Sequence, residues 1–139
     1  MDKPVITGNT IAIPSDVEHL ADVDLFIEGI LRGWEVDESR IADIAISVSE
    51  LVNNAICHGN KSTHDKKVSA TIDRKGSLIV ISVTDEGAGF SPENIENPIA
   101  DDNLMKEVGR GIFIVKSLMD SVDFELTPTG SKVTIEKGV

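Results

Sequence analysis

Three groups of residues in this chain have types and spacings suited to phosphate chemistry. The first is Glu50, Asn54 and His58, each four residues from the next. On an α-helix that spacing stacks side chains one above another on one side. Ile41, Ile44, Ala45, Val48, Leu51, Val52, Ala55 and Ile56 recur at helical spacing and would form the opposite, apolar stripe. A merely solvated face normally mixes in lysines, yet no Lys or Arg occurs from Ile41 to Asn60. Asn is also a poor helix former, so propensity gives no reason for Asn53 and Asn54 in succession. Magnesium gives one: a hard cation prefers oxygen ligands, takes one or two from the protein, and leaves the rest to phosphates and water. The amide oxygen of Asn54 suits that role. A carboxylate one turn away, Glu50, is placed to act as general base or to orient a hydroxyl attacking a phosphate.

The second group is DEGAGF, Asp85 to Phe90, where an alternating strand runs out. Gly87 and Gly89 let the backbone approach a ligand closely, and a buried Asp85 carboxylate would accept a hydrogen bond from an exocyclic amine such as that of adenine. The third is GRGIFIV, Gly109 to Val115, with glycines on both sides of Arg110 at the expected start of a helix. Backbone N–H groups at a helix N-terminus, together with a guanidinium, bind phosphate oxygens. Taken singly, each group has an ordinary explanation in a solvated face, a turn or a helix cap; their order along the chain carries more weight.

The elements that must position these groups follow from the chain's punctuation. Pro4 to Pro14 alternates loosely and reads as an opening strand or hairpin, with Ile11 and Ile13 on one side. Ser15 and Glu18 form a capping-box pattern for a helix reaching about Trp34, with Ile27, Ile30 and Leu31 buried. Asp37 is placed to cap the second helix, which carries Glu50 and Asn54, and Gly59 to end it as a C-terminal glycine. Val68 to Asp73 and Leu78 to Thr84 alternate on either side of RKGS and predict an antiparallel pair. A long stretch from Gly87 to Gly109, rich in Gly, Pro, Asn and Asp, reads as a functional loop. A third helix is expected from about Gly111 to Met119, then strands at Val122 to Leu126 and Lys132 to Glu136. Helices and antiparallel strands without a regular strand-helix-strand repeat predict an α+β, two-layer sandwich.

Composition narrows the functional classes. The chain's 139 residues suggest one domain, 1–139. Hydrophobic residues at 40% and charged residues at 27% support an ordinary folded core, and aromatics at 4% make that core aliphatic. Thirteen basic against 24 acidic residues leave a formal charge of -11, which repels a nucleic-acid backbone and favours a partner with a basic patch. Cys57 stands alone, so neither an internal disulfide nor a cysteine zinc site is available, and a cytoplasmic location is expected. No run of 18 apolar residues and no leader-like N-terminus point to a membrane.

The motif order resembles the GHKL ATPase superfamily, which includes the ATP-binding domains of gyrase, histidine kinases and MutL. SELVNNAICHGN looks like its asparagine box, DEGAGF like its first glycine box, VGRGIFIV like its second, and Gly130-Ser131 like its closing Gly-Thr element with Ser in place of Thr. The compact form is similar to the anti-sigma factor serine kinases of bacterial partner-switching systems; 139 residues leave no expected room for a phosphoacceptor hairpin or a transducer domain. The resemblance implies a GHKL-type fold, with an ATP lid at about 90–108. It further implies ATP and magnesium as cofactors, Glu50 as catalytic base, Asn54 as magnesium ligand and Asp85 as adenine reader. Gly87, Gly89, Gly109 and Gly111 would border the lid, with Ile112 beside them. Asn53, His58 and Ser131 would line the nucleotide, and Lys106 and Arg110 would face its phosphates. The implied reaction transfers the ATP γ-phosphate to a serine of a STAS-type anti-anti-sigma protein, in competition with sequestering a sigma factor, and the family leads one to expect a homodimer. Two other readings are a nucleotide-dependent binding module without phosphotransfer and a detached histidine kinase ATPase domain. Glu50 favours the enzyme, since a pure nucleotide sensor has no need of a base there.

Overall fold

The computed structural model describes residues 3–60, 65–87 and 102–139. Six strands build its sheet: β1 (Val5–Thr7), β2 (Thr10–Pro14), β3 (Lys67–Lys75), β4 (Leu78–Asp85), β5 (Ser121–Thr127) and β6 (Gly130–Gly138). Their spatial order is β1-β2-β3-β4-β6-β5, and every neighbouring pair is antiparallel. Two of the hairpins turn through Gly8 at φ 59° and Gly76 at φ 62°, a left-handed backbone that a Cβ would disfavour.

Among the described residues three α-helices accompany the sheet: α1 (Leu20–Gly33), α2 (Glu38–Asn54) and α3 (Asp102–Leu118). Val23, Ile27 and Leu31 of α1 and Ile41, Ile44, Val48 and Val52 of α2 join Ile72, Ile79, Ile81 and Ile135 of the sheet in one aliphatic core. Burying each such side chain contributes about 1.5–3 kcal/mol. The α+β, two-layer architecture expected from the alternation of patterns is the one observed.

Local signals at the helix starts divide into one that holds and one that does not. Asp37 caps α2, its Oδ1 accepting from the Arg40 backbone N–H at 3.0 Å. That bond, with further ones from the Ser39 hydroxyl and the Arg40 guanidinium, holds the Asp37 carboxyl down to about 2. Ser15, in contrast, caps nothing. Asp16 accepts from Glu18 N at 3.0 Å and opens the short 3-10 turn Val17–His19 ahead of α1. Ser15 instead continues the inward phase of Ile11 and Ile13 and is buried, its hydroxyl donating to the Lys66 carbonyl at 2.6 Å.

Two further expectations are corrected. α3 begins at Asp102, nine residues before the expected Gly111, so residues 102–108 of the stretch read as lid are helical. DNLMKEV contains neither Gly nor Pro to stop a helix from running through it. Gly59 does not cap α2 in a left-handed conformation either. The chain leaves Asn54 through a π-helical turn, Ala55–Gly59, closed by Asn60 N–H to the Ala55 carbonyl at 2.8 Å.

Candidate functional site

The alternation of β4 places the site's carboxylate. Ile79, Ile81 and Val83 point into the core, and the same two-residue phase carries Asp85 inward at the strand's end, where it is 4% exposed. β6 has the matching phase through Ile135, Val133 and Ser131, and Asp85 and Ser131 stand opposite each other across the ladder. The Ser131 hydroxyl donates to Asp85 Oδ2 at 2.6 Å, and the Gly87 N–H donates to Oδ1 at 3.0 Å. A carboxylate has about four acceptor positions, so Asp85 keeps capacity for a further donor on each oxygen.

Glycines make room for this carboxylate. A Cβ on Gly59 would lie 2.4 Å from Asp85 Oδ2, one on Gly130 would lie 1.9 Å from the Asp85 carbonyl oxygen, and one on Gly87 would lie 1.6 Å from the Gly59 carbonyl oxygen. The π turn after α2, the end of β4 and the start of β6 therefore meet at backbone distance. Gly59 and Gly130 are required by close approach, a role that the sequence reading did not assign to either.

Asn60 secures the same junction. It is 1% exposed, and its Nδ2 donates to Ser15 Oγ at 2.8 Å and to the Lys67 carbonyl at 3.0 Å, while its Oδ1 accepts from Glu86 N–H at 2.9 Å. Ser15 and Asn60 were absent from the sequence-derived site. Continuation of the Ile11, Ile13 phase to Ser15 is a readable signal for one of them; Asn60 closes the asparagine-box stretch but has no role assigned there.

Glu50 and Asn54 keep their helical relation one turn apart on α2, and Gly111 of α3 packs against both. A Cβ there would lie 2.8 Å from Glu50 Oε2 and 3.5 Å from Asn54 Nδ2. Gly in a helix interior costs up to about 1 kcal/mol relative to Ala; at Gly111 the tight passage of α3 over Glu50 explains it. Asn54 is 3% exposed, which excludes the solvated-face alternative for it, and its Nδ2 has no hydrogen-bond partner among the described residues. His58 is half-buried within the π turn that follows Asn54. Asn53 is half-buried and accepts a hydrogen bond from Cys57 Sγ at 3.7 Å.

The second glycine group is placed differently from its sequence reading. Gly109, Arg110 and Gly111 lie inside α3, not at its N-terminus, so their N–H groups are not the free amides of a helix start. Arg110 is exposed and Ile112 is buried. Gly89 and the lid residues 90–101 lie outside the described residues, as does the Lys106 side chain.

The donor chemistry suits magnesium shared with phosphates. Among the described residues no three or more His, Cys, Asp or Glu side chains converge as a self-sufficient metal site. One amide oxygen at Asn54 is the ligand type that such a shared ion uses, and a flip of the unpartnered amide presents Oδ1 in place of Nδ2. Glu50 also reaches a groove between α1 and α2 lined by Asp24, Glu28, Ala45, Ile46 and Ser49. Burial, and secondarily Glu28, push the Asp24 carboxyl up.

With this geometry in place, comparison with known proteins decides the family. The family model of the histidine kinase-like ATPase domain matches residues 13–137. The chain belongs to this family. It is similar to the serine-protein kinase RsbW of Listeria innocua, 26% identical over 119 residues that span 81% of this chain and 76% of the relative. It is likewise similar to the serine-protein kinase RsbW of Staphylococcus aureus, 28% identical over 117 residues, or 79% and 74% of the two chains. Among solved structures, the RsbU and RsbW domains of Rv1364c from Mycobacterium tuberculosis superpose with a TM-score of 0.63 at 19% identity, over 93% of this chain and 32% of that one. The histidine kinase domain of the Erythrobacter litoralis EL346 blue-light activated histidine kinase gives 0.57 at 19% identity, over 91% and 61%. This chain thus spans less than two thirds of either structural neighbour, and those likenesses speak for the fold.

Proposed function

We propose that this protein is an ATP-dependent protein serine kinase and anti-sigma factor, which phosphorylates a serine of a STAS-type anti-anti-sigma protein and sequesters a sigma factor. The observation that carries the reading is Glu50 beside a buried, unpartnered Asn54 amide under Gly111 of the facing helix, in a chain similar to proteins named serine-protein kinase. Asp85, held by Ser131 and Gly87 with acceptor capacity left over, would take the adenine amine. Asn54 would hold magnesium, which when bound neutralises charge on the phosphate oxygens.

Glu50 would accept the proton of the substrate serine hydroxyl as its oxygen bonds to the γ-phosphorus; the bond from that phosphorus to the β-bridging oxygen breaks, and ADP leaves. The groove between α1 and α2 gives Glu50 an approach from outside. Phosphorylation of the antagonist would weaken its binding and free this protein to hold sigma. Residues 1–139 would act as one ATP-binding unit, and Gly89, Lys106 and Arg110 would belong to its lid and phosphate contacts.

The test is capture of partners from native lysate in parallel with Mg-ATP and Mg-ADP, followed by phosphosite mass spectrometry. A STAS-type partner bearing acid-stable phosphoserine only in the ATP sample, with a sigma factor in the same capture, is the expected result. Nucleotide-dependent partners without new phosphate would overturn the kinase in favour of a binding module, and acid-labile phosphohistidine would overturn it in favour of a histidine kinase ATPase domain.

A further inference from the structure

The turn that carries Asp85 is fixed from below by Asn60, which closes the asparagine-box stretch and has no role assigned in it. Asn60 is buried and uses both ends of its amide. Oδ1 accepts the N–H of Glu86, the residue between Asp85 and Gly87, while Nδ2 donates to the Lys67 carbonyl and to Ser15 Oγ. Ser15 in turn donates to the Lys66 carbonyl. The end of β2, the start of β3 and the turn leaving β4 are therefore joined at one amide.

This amide acts where clearance is least. A Cβ on Gly87 would fall 1.6 Å from the Gly59 carbonyl oxygen and 2.9 Å from the backbone N of Asn60, so the Asp85-Gly87 turn lies directly against the Gly59-Asn60 peptide. The Glu86 N–H bond to Asn60 and the Gly87 N–H bond to Asp85 Oδ1 are made by consecutive amides of that turn. If the first is released, the second, which orients the carboxylate, loses its fixed donor. Buried amides left unpartnered are costly, so the turn would rotate to find new acceptors.

We propose that Asn60 is a positioning residue for base recognition: by holding Glu86 N–H it sets the angle of the Asp85 carboxylate and so the preference for adenine. This rests on the proposed ATP binding and adds a residue outside the contacts proposed there. Ser15 supplies the contrast, because removing its hydroxyl loosens the same amide on its donor side and leaves the bond to Glu86 intact.

The experiment compares wild type, Asn60→Ala, Asn60→Asp and Ser15→Ala by calorimetric titration with Mg-ATP and Mg-GTP and by thermal melting. Asn60→Ala is expected to weaken ATP binding about tenfold and to erase most of the ATP-over-GTP preference, the size of one lost hydrogen bond to a buried group. Asn60→Asp keeps an acceptor for Glu86 N–H and should recover the preference. Ser15→Ala should melt earlier with the preference unchanged. Retained preference in a folded Asn60→Ala variant would overturn the inference, as would equal loss of preference in Ser15→Ala at matched melting temperature. Wild type that binds ATP no better than GTP would overturn the adenine-reading role of Asp85 itself, a separate failure. Should Asn60→Ala not fold, Asn60→Asp decides alone: a kept preference supports the inference, and a lost one overturns it.

Discussion

Gly59 to Ala is the substitution whose consequence follows most directly from the geometry. The new methyl would lie 2.4 Å from Asp85 Oδ2 and 2.7 Å from its Cγ, whereas ordinary contact begins at 3.4 Å. The carboxylate must therefore retreat by about 1 Å or the π turn must lift by as much, in a region already packed to backbone distance. Asp85 is paired on both sides, to Val68 and to Ser131, so it has little freedom to recoil. Oδ2 is also the oxygen that accepts from Ser131 at 2.6 Å, so a shift of this size disturbs that bond. Overpacking of this kind costs about 1–3 kcal/mol, which at this chain length lowers the melting temperature by about 3–10 °C. Misplacing the proposed acceptor of the adenine amine removes a charged hydrogen bond of about 1.5–3 kcal/mol, or about 10–150-fold in Kd. Scanning calorimetry and titration with Mg-ATP read the two effects. Gly29→Ala is the control: Gly29 is exposed on α1 with nothing within 4 Å of its Cβ position, so it should gain stability and bind ATP as wild type does. A Gly59→Ala protein with unchanged melting and unchanged ATP affinity would refute the contact between the π turn and Asp85 as the reason for glycine there.

Three further outcomes are expected. Glu50→Gln should keep Mg-ATP affinity and lower single-turnover phosphotransfer by about 10²–10⁴-fold, the usual contribution of a general base; retained turnover would remove Glu50 from that role. Asn54→Ala should lose the magnesium-dependent part of nucleotide affinity while binding in EDTA changes little, and equal losses with and without the metal would argue against Asn54 as ligand. The third concerns pH. The folded state holds Asp37 down to about 2 from an ordinary 3.8, so its carboxylate stabilises the fold fully above the unfolded value and loses that contribution as pH falls from about 4 toward 2. Asp37→Asn keeps a good N-cap without the charge. Urea melts should therefore show a stability gap to wild type at pH 6 that has narrowed to a small remainder by pH 2, and a gap independent of pH would contradict the assignment.

Much of the site was readable because each piece depends on local pattern. Glu50 and Asn54 follow from the α2 periodicity and Asp85 from the alternating strand that it ends, since side-chain direction in regular elements is set by residue count alone; Ser131 came only with the family resemblance. Where winding departs from the standard, counting fails. His58 falls in the π turn and not on the α-helix that its spacing implied, and Gly109 to Gly111 read as a helix start because glycine ordinarily punctuates. In α3 the glycine at 111 serves clearance over Glu50, a reason that resides in another helix.

By itself, then, the sequence determined the α+β class, the aliphatic core and the order of the three motifs, because periodicity, composition and motif spacing are properties of the linear chain. Only the tertiary structure decided that Gly59, Gly87 and Gly130 are glycine for clearance, that Ser15 is a buried donor and not a cap, and that Asn60 joins three segments. The physical reason is common to all of them. Each depends on the distance between atoms far apart in the chain, such as Asn60 and Ser15 at a separation of 45 residues, and no local pattern encodes a distance that exists only after the sheet and helices have packed.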